Sequence, residues 1–124
     1  MDSVSADVED GQAVQLVNLT PHPINIVIGQ AMIALPAADR PARLVGDSEQ
    51  AGPISVEGSE VPVMIYRYAS VDDLPAEQEG VRYVVSQLVL DFAQDRTDLL
   101  TPTELVRDAQ GNVIGCRALA RRAD

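Results

Sequence analysis

Apolar and polar positions along this chain alternate mostly at period two, the signature of extended backbone with one face turned inward. In "INIVI", Ile24, Ile26 and Ile28 fall on one face and Asn25 and Val27 on the other, which predicts a strand over 24–28. "AVQLVNL", 13–19, reads as a strand apolar on most of both faces. "AMIAL", 31–35, places Ala31, Ile33 and Leu35 in register, and Gly29-Gln30 supplies a turn between it and the strand before. Three strands so close together predict a meander. "VPVMIYRYAS", 61–70, is dominated by β-branched and aromatic residues and predicts a further strand. "VRYVVS", 81–86, predicts another, with Val81, Tyr83 and Val85 on one side. These two are expected to pair across the acidic loop "VDDLPAEQEG", which Gly80 closes. Residues 36–60 are rich in turn formers, and only 43–45 and the "PISVEG" segment suggest short strands there.

Period 3.6 appears once. Ser86 suits a helix N-cap, and the following "QLVLDFAQD" sets Leu88 four residues before Phe92 and Val89 four before Ala93, an apolar stripe with Asp91 and Gln94 outside. Toward the end, "DAQG" has Asp108 first and Gly111 fourth, the pattern of a type I turn with a G1 bulge. Its arms would be "ELVR" and "VIGCRAL". Gly115 within the second arm marks a bulge or the close approach of another backbone. The fold expected is α+β: mainly antiparallel β, built of a meander and hairpins, with one short helix. An acidic flexible tail, 1–12, would precede a single β-rich domain, 13–124.

Composition narrows the function. The chain of 124 residues carries nineteen acidic and nine basic side chains, a net charge of −10. Direct nucleic-acid binding and an anionic membrane surface both need surplus positive charge, so neither is expected. A protein partner or a small anionic ligand held by a local arginine cluster is allowed. All nine basic residues are arginine, which fits a GC-rich genome better than a selection for guanidinium geometry. The single cysteine, Cys116, rules out an internal disulfide and suits a reducing cytoplasm. The first twelve residues have neither the basic nor the apolar region of a signal peptide, so a cytoplasmic location is expected. Residues 11–38 hold no Asp, Glu, Arg or Lys, yet Asn18, Pro21, His22, Pro23, Asn25 and Gln30 interrupt them short of a membrane span.

Few residues suggest chemistry. His22, the only histidine, stands between Pro21 and Pro23 in "TPHP". Both prolines fix φ and push the preceding residue out of the helical region, so His22 sits on a stiff connector suited to presenting a ring. With no second histidine and Cys116 far off, it is no metal signature, and no metal or cofactor is expected. It is the weak candidate for catalysis. The best constellation for a ligand is "YRY" with "RY": Tyr66, Tyr68 and Tyr83 as aromatic plates, with Arg67 and Arg82 as cations. Such faces suit a nucleobase or a phosphate-bearing group. The plainer alternative has the tyrosines covering a core edge and the arginines meeting carboxylates. A second cluster, Arg96, Asp98, Arg107, Asp108 and Arg117, reads as a salt-bridge network or an anion site. Arg107 and Arg117 lie on the two arms of the expected hairpin, where they would be cross-strand neighbours. Cys116, inside a strand, reads as a buried inert thiol.

The "LVNLTPHPINI" opening, the "GVRYVVSQLVLDFAQDRTDLLTP" segment and the "LVRDAQGNVIGCRAL" ending resemble a set of small uncharacterised actinobacterial and bacteriophage proteins, over about residues 14–120. The resemblance implies a bacterial or phage-linked cytoplasmic protein and carries no chemistry. The leading expectation is a non-enzymatic binding module for a protein or a small nucleotide-like ligand, in a phage–host setting. The alternative is a small hydrolase or transferase using His22, which needs Ser, Thr or Asp within hydrogen-bond reach of the ring. A third reading is an acidic mimic of nucleic acid. Exposed strand edges also allow pairing with a second copy, so a homo-oligomer is left open.

Overall fold

The computed structural model describes residues 13–123. The acidic tail expected over 1–12 lies outside the described residues. Eight strands and one helix follow in order: β1 (Gln15–Asn18), β2 (Ile24–Ile28), β3 (Ala31–Leu35), β4 (Arg43–Val56), β5 (Ser59–Asp72), β6 (Val81–Val84), α1 (Gln87–Phe92), β7 (Leu99–Arg107) and β8 (Val113–Ala120). Among the described residues the chain is mainly β with one short helix, as its alternation predicts. It forms a six-stranded sheet in the order β1-β6-β7-β8-β2-β3 and a separate two-stranded ribbon, β4-β5.

The large sheet is mixed, which corrects the antiparallel expectation. β1 and β7 both run parallel to β6, and β8 runs parallel to β2. Only β7-β8 and β2-β3 are antiparallel. The meander expected from the first three strands forms only in its second half. Gly29 takes φ 59 and turns β2 into β3 at the predicted place. β1 instead leaves for the far edge and pairs with β6, Val17 opposite Tyr83. The two edges then approach one another. Asn18 Nδ2 donates to the Pro36 carbonyl at 3.0 Å and the Ala38 N–H to the Thr20 carbonyl at 3.0 Å, so the sheet curls almost into a barrel.

The core lies between one face of this sheet and α1. Tyr83, Val85, Val89, Leu90, Ala93 and Leu99 are buried there together with Leu19 and Ala42. Ser86 caps the helix as predicted: its Oγ accepts from the Val89 N–H at 3.3 Å while its own backbone stays extended. The buried stripe is Val89, Leu90 and Ala93. Leu88 and Phe92, expected inside, are exposed. A six-residue helix makes less than two turns, and its docking angle, not its sequence period, selects which side chains meet the sheet.

The turn "DAQG" forms as read. Gly111 at φ 88 donates its N–H to the Asp108 carbonyl at 3.0 Å, and the Asp108 N–H donates to the Asn112 carbonyl at 2.9 Å. The Asp108 carboxylate accepts from the backbone N–H groups of Gln110 and Asn112, each at 2.9 Å. The bond from Asn112 does most to hold this carboxyl below the usual aspartate pKa, and that from Gln110 adds to it; the slight desolvation opposes both. Because the folded carboxyl binds its proton more weakly than the unfolded one, the turn's contribution is complete above the ordinary aspartate value. It is lost as pH falls through the lower folded value. An NMR titration of Asp108 should give a midpoint below about 3.9, the model-peptide value. A midpoint at or above it would show that these bonds do not form.

Candidate functional site

Two features stand out from the body: a projecting ribbon and a cavity. The ribbon corrects two expectations. Residues 36–60 are not mostly loop, because 43–56 form one strand of 14 residues. And β5 pairs with β4, not with β6. The two-residue turn Glu57-Gly58 has both φ positive, 51 and 84, the twist that a tight hairpin requires. At about 3.3 Å per residue, the ribbon is about 45 Å long. Its root is fixed by Leu44 and Val71, which pack on the core. The rest is largely exposed on both faces.

Along β5, Tyr66 and Tyr68 share one face, stacked with ring centroids 6.3 Å apart and planes 9° apart. Opposite them on β4 stand Ser48 and Gly46, too small to cover the rings, which stay 62% and 43% exposed. Gly46 is required there: a Cβ would lie 1.9 Å from the Arg67 carbonyl oxygen, at a register shift in the ladder. Arg67 faces away and pairs with Glu49. Ile54, Val56, Val61, Met64 and Ile65 are exposed as well. Tyr83, the third predicted plate, is in the core at 4% exposure, and its hydroxyl reaches toward the Ala76 carbonyl at 3.5 Å. Arg82, also on β6, donates to the carbonyl of Val81. The five residues proposed as one ligand site therefore divide between the ribbon and the body.

The second predicted cluster divides also. Arg96 and Asp98 join in a two-pronged bridge, Nε to Oδ1 at 2.9 Å and Nη2 to Oδ2 at 2.8 Å, with Asp98 buried. This hydrogen bond is the main cause that raises the Arg96 pKa further. Arg107 and Asp108 sit at the β7–β8 turn, where Arg107 Nη1 donates to the Gly111 carbonyl at 2.9 Å. Arg117 is not opposite Arg107, whose cross-strand partner is Val113. Arg96 does approach Arg121 and Arg122 around a small pocket of about 250 Å³, a neighbourhood that sequence distance hid.

The cavity, about 830 Å³, lies where the "TPHP" connector meets the ends of several strands. Pro21, Pro23 and Ile24 form one wall; Leu105, Val113 and Ile114 form another. Val85, Thr101 and Cys116 line it where it meets the buried part of the body. The connector is held from below by a buried pair. Asn18 Oδ1 accepts from the Thr20 N–H at 2.9 Å and from its hydroxyl at 2.7 Å, while Asn18 Nδ2 donates to the His22 carbonyl at 2.8 Å. These bonds fix the His22 backbone and leave its ring exposed, with no hydrogen-bond partner among the described residues. The Cys116 thiol, 1% exposed, is pushed up in pKa by burial and stays protonated at neutral pH. Among the described residues no three His, Cys, Asp or Glu side chains gather as metal ligands, and no helix is long and apolar enough to cross a membrane.

Comparison with known proteins gives no match: no model of a known family, no curated protein and no solved structure matches the chain.

Proposed function

We propose that the chain is a non-enzymatic binding module that engages a protein partner through the β4–β5 ribbon. The supporting observation is the pair Tyr66 and Tyr68, stacked and uncovered, on a ribbon that exposes apolar side chains on both faces. A two-stranded ribbon is marginal in water by itself, and stacked tyrosines left uncovered by small neighbours make efficient anchors for a protein surface. Glu57 and Glu60 at the tip, together with the net charge of −10, suit a partner groove that is apolar inside and basic at its rim. We place that partner in a phage–host setting, as the resemblance read from the sequence implies. The nucleotide-like ligand loses support, since Tyr83 is not beside the other two rings. The enzyme reading loses support too, because the His22 ring has no hydrogen-bond partner among the described residues to orient it.

Native mass spectrometry of the chain purified from its own host is expected to retain a second protein. The Tyr66→Ser, Tyr68→Ser double variant should lose that mass while its circular dichroism and melting of the body stay unchanged. Retention of the partner by the double variant, or a wild type that elutes alone, would overturn the reading. A mass at twice that of the chain would replace the partner by a second copy.

A further inference from the structure

We infer that the cavity beside the "TPHP" connector is a second binding site, for an uncharged, largely apolar small molecule whose carbonyl oxygen accepts a hydrogen bond from Thr101. Three observations carry this. At about 830 Å³ the cavity falls within the range that encloses small ligands, roughly 300 to 1,000 Å³. Its lining contains no Asp, Glu, Arg or Lys, and its titratable side chains are only His22 on the exposed connector and the buried Cys116 thiol, so an anion or cation entering it would lose hydration with no fixed counter-charge to replace it. And Thr101 lines it at 4% exposure with a hydroxyl that has no hydrogen-bond partner among the described residues. A buried hydroxyl left unpaired is a standing cost, which a ligand acceptor removes.

The rest of the lining fits such an occupant. The two prolines stiffen the rim, so the site is preformed and little ordering is lost on binding. Val113 and Ile114, half exposed at the mouth, offer apolar contact to whatever enters. Glu104, at φ 53 in the left-handed region, stands within β7 next to Leu105 of the cavity wall.

The test uses the full chain and the neutral fluorescent probe N-phenyl-1-naphthylamine. The probe is expected to bind with an increase in fluorescence and to be displaced by 2-nonanone at lower concentration than by nonane, whereas nonanoate at pH 8 displaces it poorly. Thr101→Val should weaken 2-nonanone by about five- to tenfold, the loss of one hydrogen bond, and leave nonane unchanged. Thr101→Ser should restore the ketone's advantage. Ile114→Trp at the exposed mouth should reduce uptake of all three, and the Tyr66→Ser, Tyr68→Ser variant should not, which separates this site from the ribbon. Absence of probe uptake by the wild type, equal displacement by nonanoate and 2-nonanone, or indifference to Thr101→Val would each overturn the inference. So would uptake that falls as protein concentration rises with a doubling of mass, the sign that a second copy fills the cavity.

Discussion

Replacing Asp98 by Ala is expected to lower the stability of the folded chain by about 3 kcal/mol, the lower end of what breaking a buried ion pair costs. Both carboxylate oxygens are engaged by Arg96, and the two side chains are only 5% and 16% exposed. Without Asp98 the guanidinium keeps one acceptor, the Pro75 carbonyl at 2.8 Å, and is otherwise a partly buried charge without its counter-ion. The same arginine ties the 74–77 segment to the body, so its release should loosen that loop as well. Against a typical total of about 5–15 kcal/mol, such a loss is large. At about 4–8 °C per kcal/mol for a domain near this size, the melting temperature should drop by about 12–24 °C. Asp98→Asn keeps an acceptor and removes the charge, and should fall between wild type and Ala. Urea unfolding provides the measurement. A loss of less than about 1 kcal/mol would mean that the bridge behaves as an exposed surface pair.

Gly115→Val is expected to be about as damaging, by a different route. Gly115 lies in β8, where a Cβ would stand 2.9 Å from the Asn25 carbonyl oxygen of β2. That atom is backbone and cannot rotate aside. Valine adds two methyl groups beyond the Cβ, so β2 and β8 must separate or shift. Overpacking of this kind costs about 1–3 kcal/mol where the neighbours can yield, and more where they cannot. The effect should propagate, because Ile26 and Cys116, opposite one another across this same pair, are both nearly fully buried. Loss of Cys116 protection is a direct readout: iodoacetamide should label the variant under native conditions and leave the wild type unlabelled. A variant that melts within about 1 kcal/mol of wild type and keeps Cys116 protected would show that the two strands do not approach so closely.

Much of the local structure was legible because its causes are local. The turn at Asp108–Gly111 needs only a carboxylate that can reach two N–H groups and a residue that tolerates positive φ. Ser86 needs only an orphan N–H three residues on. Gly115 was legible as a point of close approach because a glycine inside a strand weakens it unless another backbone needs the space. β4 was not legible. "GDSEQAG" has neither β-branched residues nor alternation, and it is extended because β5 hydrogen-bonds to it, not because its own residues favour it. The tyrosines show the same limit. Their nearness in sequence suggested one site, and strand pairing sent Tyr66 and Tyr68 to the ribbon and Tyr83 to the core.

The candidate cavity belongs wholly to the second category. Its walls come from 20–25, 85–86, 101–102, 105 and 113–116, segments that no spacing rule connects. The connector and the part of β2 that line it fall within the uncharged span 11–38, which by itself called for strands and no cavity. Alone, the sequence determined where the backbone turns, where the helix starts and, outside the middle of β4, where it extends, since each depends on sterics and hydrogen bonds within a few residues. The tertiary structure decided which strands are neighbours and in which direction they run. It thereby decided that two tyrosines face water, that one is buried, and that a buried threonine is among the residues lining an apolar cavity. Those outcomes depend on contacts between residues far apart in the chain, and side-chain alternation is the same whether a strand's neighbour is parallel, antiparallel or absent.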